Sequence, residues 1–167
     1  MRKPEKLSKE VVDLLLPRLN DEYNAFYMYR SASNWCANVG FMKAAKYFEA
    51  ESTDELAHAK GIEDFLVQWN ITPELPTVEK PILKFDNLAD IIDKAYGIEF
   101  ELYENYEDTS AKIFKTGDLC VFDFLQKYRT IQTKSVAEYS DMINILEGVK
   151  TDSKFEMLML EENLFGE

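Results

Sequence analysis

The sequence predicts an all-α fold: a bundle of four long helices with one long crossover between helices two and three and a short fifth helix at the C-terminus. Three observations lead there. Apolar residues recur at alternating steps of three and four through most of the chain. Period-2 alternation never persists, and neither Asn-Gly nor Asp-Gly hairpin turns occur. Break signals at Gly40, at Pro73, Pro76 and Pro81, at Gly117 with Asp118 and at Gly148 separate the periodic stretches.

Each element has its own boundary signals. Ser8 can cap a first helix that runs to about Asn38, with Gly40 near its end. Pro17 interrupts it, and an interior proline costs roughly 3 kcal/mol, so a bend there or a start later than Ser8 is expected. A second helix follows from about Phe41 to Asn70. Pro73, Pro76 and Pro81 then mark an extended connection through ITPELPTVEKPILKF. Asn87 can cap a third helix reaching about Lys115, Gly117 and Asp118 make the next break, and a fourth helix runs to about Leu146, before Gly148. The tail SKFEMLMLEENLFGE reads as a short fifth helix over about 153–164. Helices of roughly 30 residues are about 45 Å long. A nearly extended connection of about 16 residues spans about 50 Å and can run the length of such a bundle. Two helical hairpins joined by one long crossover are a known four-helix arrangement.

The 167 residues suit one domain, 1–167, with the bundle over about 8–147. A hydrophobic fraction of 46% with 6 glycines and 5 prolines excludes a fibrous or disordered chain. The net charge of -12 disfavours nucleic acid and anionic membrane as partners and leaves metal cations as natural ones. MRKPEKLSKE has no apolar signal-peptide core, and no stretch approaches the roughly 20 apolar residues of a membrane span, so the expected location is cytoplasmic. Cys36 and Cys120 fit no CxxC spacing and are expected to be ordinary buried thiols of a reducing compartment.

Each seam carries one polar interruption. The first reads Val12, Leu15, Leu19, Glu22, Phe26, Tyr29, Ser33, Cys36, and the second Phe41, Ala45, Phe48, Ser52, Glu55, Ala59, Ile62, Leu66, Trp69. The third reads Leu88, Ile92, Ala95, Glu99, Leu102, Tyr106, Thr109, Ile113, and the fourth Leu125, Tyr128, Gln132, Ser135, Tyr139, Met142, Leu146. Glu22, Glu55, Glu99 and Gln132 lie at similar depth, near the middle of each helix, so they should converge in one layer whichever way the helices run. His58, the only histidine, lies one turn from Glu55 on the same face. Three carboxylates buried together would repel and lose hydration unless protonated or bound to cations. Hard oxygen ligands with one imidazole suit iron or manganese, and zinc is possible. Taken singly, a seam glutamate can snorkel to the surface and one ExxH is commonplace. Four coincident interruptions are not.

At these residues the sequence resembles the non-haem ferritins, through LNDEYNAFYMYRSASNWC, FMKAAKYFEAESTDELAHA, AYGIEFELYE and FDFLQKYRTIQTK. The resemblance implies a ferritin-like bundle whose Glu22, Glu55 and His58 hold a first iron, while Glu55 and Glu99, with Gln132 nearby, hold a second. It implies an iron-storage ferroxidase: two Fe(II) are oxidised by O2 or H2O2, and ferric oxyhydroxide collects in a hollow homo-oligomeric shell of 24 subunits. Tyr29 matches a tyrosine that hydrogen-bonds near the irons and can supply an electron; a plain core aromatic is the alternative. Departures also carry meaning. QTKS replaces the second ExxH of bacterioferritins, so the second iron should be held more loosely. Leu56 stands where bacterioferritins use a haem-ligating methionine, so no haem is expected. Of a third iron site only Asp54 remains, facing Ile131, Lys134 and Ser135, and that site is expected to be absent or very weak. The tail helix would line channels on four-fold axes or pack on its own bundle. Competing readings are a non-catalytic shell subunit, a DNA-protecting mini-ferritin, against which only MRKPEK is basic, and a rubrerythrin-like peroxidase, which lacks its second ExxH and CxxC here.

Overall fold

The computed structural model describes residues 7–166; the basic stretch MRKPEK and Glu167 lie outside them. Helix α1 (Lys9–Val39) starts where Ser8 Oγ accepts from the Val11 N–H, satisfying a donor that the first helical turn leaves free. The later start that Pro17 allowed is not adopted. Pro17 lies on the exposed face, where water can serve the backbone group its ring leaves without a donor. Gly40 ends α1 in the left-handed region at φ 93°, returning its N–H to Cys36 O.

Helix α2 (Met42–Gln68) begins differently. Its N-cap, Phe41, has no side-chain oxygen, and the cap comes instead from the other end of the chain. The buried carboxylate of Glu161 accepts from the N–H groups of Lys43 (2.8 Å) and Ala44 (3.0 Å). An anion at a helix N-terminus is favoured both by those donors and by the aligned peptide dipoles. Residues 69–87 then cross over without regular structure, anchored by buried Phe85 edge-on to Trp35 at 5.7 Å. Helix α3 (Leu88–Thr116) is capped by Asn87 and α4 (Leu119–Leu146) by Asp118, each side chain accepting from the N–H three residues on. Helix α5 (Lys154–Phe165) is capped by Ser153.

Helix α1 packs along α2 and α3 along α4, α1 also meets α3, and α5 rests on α2 and α3. This is the expected four-helix bundle with a long second connection and a short fifth helix. Among the described residues there is no strand, and no helix is long and apolar enough to cross a membrane. The α2 and α3 seams are buried as read, except that Trp69 is only half-buried. In α1 the buried positions are Val11 and Ala25, one residue before the expected Val12 and Phe26. The other α1 seam positions, Leu15, Leu19, Glu22, Tyr29, Ser33 and Cys36, are buried as read, so the offsets are local steps within a buried face at least about 100° wide.

One expectation about the thiols is corrected, and the place of α5 within the chain is shown. Cys36 is buried, but Cys120 is exposed. It precedes Val121 on α4, and one residue is about 100° around a helix, which turns Cys120 away from the core that Val121 enters. Helix α5 packs on its own bundle: Lys154 Nζ reaches Val39 O at 2.8 Å and sits 3.7 Å over the Phe41 ring, and Phe165 lies 4.7 Å from Tyr47. Its outer face still presents Phe155, Leu158 and Met159 to solvent.

Replacing the remote cap tests this arrangement. Glu161→Ala should cost about 1–2 kcal/mol, the range for losing a helix N-cap, and lower the thermal midpoint by several degrees. An unchanged midpoint in a melting experiment would show that the carboxylate does not cap α2.

Candidate metal centre

Helical periodicity brings the four polar seam positions into one buried layer. Glu22 and Glu99 are fully buried, Glu55 and Gln132 nearly so, and His58 keeps 18% of its side-chain surface. Glu22 (α1) faces Glu55 and His58 (α2), and one ligand-type atom from each lies within 4.8 Å of the other two. His58 Nδ1 is 3.4 Å from Glu55 Oε2 and 3.5 Å from Glu22 Oε2. Among the described residues, Glu99 stands outside this triad, on the neighbouring wall contributed by α3.

The two walls are held differently. Glu22 Oε1 accepts from the Tyr106 hydroxyl, while its buried Oε2 has no partner at hydrogen-bonding geometry. Both oxygens of Glu99 are engaged: Tyr29 donates to Oε1 and Gln132 Nε2 to Oε2 at 2.8 Å. Gln132 thus reaches the layer as a donor to Glu99, and Tyr29 is bonded to a site carboxylate and does not serve merely as packing. Tyr29 also stacks on Tyr139 at 6.4 Å and 12°.

Burial dominates the electrostatics. It raises the pKa of Glu55 well above the ordinary carboxylate value and raises that of Glu99 against the opposing hydrogen bonds from Tyr29 and Gln132. For Glu22 burial also pushes upward, but His58 and Glu55 beside it outweigh that and leave it lowered. Burial alone would lower His58, yet its contacts with Glu22 and Glu55 raise it to about 10. The imidazole of His58 therefore holds its proton at neutral pH. Burial and the two tyrosines' carboxylate neighbours keep Tyr29 and Tyr106 protonated as donors.

Several participants carry no separate sequence signal. Tyr106 and Tyr128 read as ordinary apolar seam residues, but Tyr128 OH donates to His58 O at 2.9 Å. Glu51, one turn before Glu55, is half-buried and accepts from Tyr139 OH at 3.1 Å; burial and then the Glu99 charge raise it to about 7. Its i, i+4 spacing to Glu55 was the available clue. Asp54 is exposed, as is Leu56.

A family model described as the ferritin-like domain matches residues 12–149. The chain belongs to the ferritin family. Its relatives include a bacterial non-heme ferritin of Campylobacter jejuni, 30% identical over 138 residues, or 83% of each chain. A probable bacterial non-heme ferritin-like protein of Haemophilus influenzae is 26% identical over 148 residues, covering 89% of this chain and 90% of the relative. The open-pore ferritin of the archaeon Archaeoglobus fulgidus shares the fold, with a TM-score of 0.88 at 23% identity over 95% of this chain and 98% of that one. In this ferritin-family chain the triad is thus built on a fold common to ferritins of low sequence identity.

The protonation pattern has a measurable consequence. Since His58 titrates at about 10, its charge supports the folded apo protein fully below its unfolded pKa of about 6.5, and that support is lost as pH rises through about 10. Coordination through Nδ1 must expel that proton. Titrating the apo protein with a divalent ion at pH 7 should release at least one proton with the first ion, with apparent affinity rising about tenfold per pH unit for each proton released. Calorimetry in buffers of different ionisation enthalpy reads this directly, and His58→Ala should reduce the release.

Proposed function

We propose that this protein is an iron-storage ferroxidase: each subunit binds two Fe(II) in its bundle, oxidises them with O2, and passes ferric oxyhydroxide to the interior of a cytoplasmic shell of 24 copies. The observation that carries this is the triad of buried Glu22 and Glu55 with partly buried His58 within 4.8 Å, and buried Glu99 alongside. The names of the relatives, which are non-heme ferritins, agree with it.

Glu22, Glu55 and His58 would take the first Fe(II), and Glu55 and Glu99, with Gln132 nearby, the second. Glu22 Oε2 has no hydrogen bond and faces His58 Nδ1 at 3.5 Å, so the first position opens once that imidazole loses its proton, whereas Glu99 must give up a hydrogen bond from Tyr29 or Gln132 before it can coordinate. Loading is therefore ordered, with the second ion weaker and free to move on. Each Fe(II) gives one electron, and O2 takes both with two protons to form H2O2, leaving two Fe(III). Three carboxylates favour the more highly charged product ion, and the helices hold them in place so that little reorganisation accompanies oxidation. Partial exposure of His58 gives the centre its edge toward solvent. Tyr29, hydrogen-bonded to Glu99, is placed to supply a further electron or simply to orient that carboxylate.

Aerobic addition of Fe(II) to the assembled protein should give a fast phase that saturates near two irons per subunit. Wild-type-like oxidation in a Glu55→Ala/His58→Ala variant would exclude this centre as the site of catalysis. Glu99→Ala should retain the first ion, lose the second, and oxidise iron at least tenfold more slowly, since a lost metal position removes several kcal/mol of stabilisation. Light scattering on the same samples separates a 24-subunit shell from a 12-subunit one.

A further inference from the structure

Gly61 sits inside α2, three residues after His58, where glycine costs about 1 kcal/mol relative to alanine. The reason is a contact across the bundle. A Cβ at this position would lie 2.5 Å from the Tyr128 hydroxyl. With that space open, Tyr128 reaches the His58 carbonyl at 2.9 Å and sets its ring edge-on to the His58 imidazole, 6.1 Å between centroids. Tyr128 in turn stacks on Tyr106 at 5.1 Å and 9°, and Tyr106 donates to Glu22 Oε1. Phe124 closes the far side of Tyr128 edge-on at 5.4 Å and is itself stacked on Phe65. An aromatic pair from α3 and α4 is thereby bonded at one end to a carboxylate on α1 and at the other to the α2 turn that carries the imidazole.

We propose that Tyr106, seated on Tyr128 in the space left by Gly61, is a positioning residue that presents Glu22 to the first metal position through a single oxygen. A free carboxylate can offer one oxygen or two to a cation. Here Oε1 is held by a buried phenol with no surface exposure, and only Oε2 faces His58 and Glu55. Restricting Glu22 to one oxygen keeps the coordination number of the first ion low and leaves positions for O2 and for a second ion. Without the phenol, Glu22 can turn and chelate, closing a position that oxidation needs. The interaction is geometric, and it involves both rings because Tyr106 lies stacked on Tyr128. It rests on the reading that Glu22, Glu55 and His58 bind metal.

Anaerobic Co(II) alone is a suitable probe, because its visible absorption is strong at four or five ligands and weak at six. The assembled wild-type protein should take up the first Co(II) with an intense band. Tyr106→Phe should still bind it, with the band falling severalfold. Gly61→Ala, which pushes Tyr128 out of its seat, should give the same loss. In Gly61→Ala/Tyr128→Phe the clash is gone and a ring remains under Tyr106, so the intense band should return. A purely structural role would lower the melting temperature of these variants without moving the spectrum. An unchanged band in Tyr106→Phe and in Gly61→Ala overturns the proposal while leaving the metal reading intact. A wild-type protein that binds no Co(II), or binds it undiminished in Glu22→Ala, overturns the metal reading and the proposal with it.

Discussion

Burying three carboxylates and an imidazole in the centre of a helical bundle is the constraint around which the rest of this structure is arranged. Charges taken from water lose hydration worth several kcal/mol each, and they remain only if neighbours compensate. Here compensation comes from protons and phenols: His58 carries its proton to about 10, Glu55 is raised well above its usual range, and Tyr29, Tyr106 and Gln132 donate to Glu99 and Glu22. The layer is therefore a set of groups whose protons a cation can replace. Under the proposed function, such replacement would relieve the repulsion that burial creates and return on binding the stability the apo layer forgoes.

The surrounding fold supplies rigidity at that layer. Ser8, Asn87 and Asp118 fix where three helices begin, and Glu161 does the same for α2 from the far end of the chain. Each start sets the rotation and depth at which the seam delivers its polar residue, so a cap many residues away bears on where Glu55 and His58 stand. Helix α5 consequently has an inner face with a task inside the subunit. Its outer residues Phe155, Leu158 and Met159 leave apolar surface facing solvent.

Much of this is legible in the sequence because it depends on period and depth alone. Glu22, Glu55, Glu99 and Gln132 interrupt their seams near mid-helix, and a midpoint remains one layer in either helix direction. The buried faces of α2 and α3 follow the same rule. What stays hidden depends on side chains meeting across helices. Tyr106 and Tyr128 look like core aromatics until their hydroxyls are traced to Glu22 and His58 O. Gly61 looks like a tolerated defect until the Tyr128 hydroxyl is found in the space its missing side chain leaves. Glu161 caps a helix more than a hundred residues away, which no local pattern encodes. The burial of Val11 and Ala25 in place of Val12 and Phe26, and the outward turn of Cys120, show how a one-residue step, about 100° of rotation, separates inside from outside.

Crystals of the apo protein soaked with Fe(II) under anaerobic conditions, with diffraction recorded on both sides of the iron edge, test the central claim most directly. Two anomalous peaks are expected in each subunit: a strong one among Glu22, Glu55 and His58, and a weaker one between Glu55 and Glu99. Iron confined to surface carboxylates, with the buried layer still holding its protons, would contradict it.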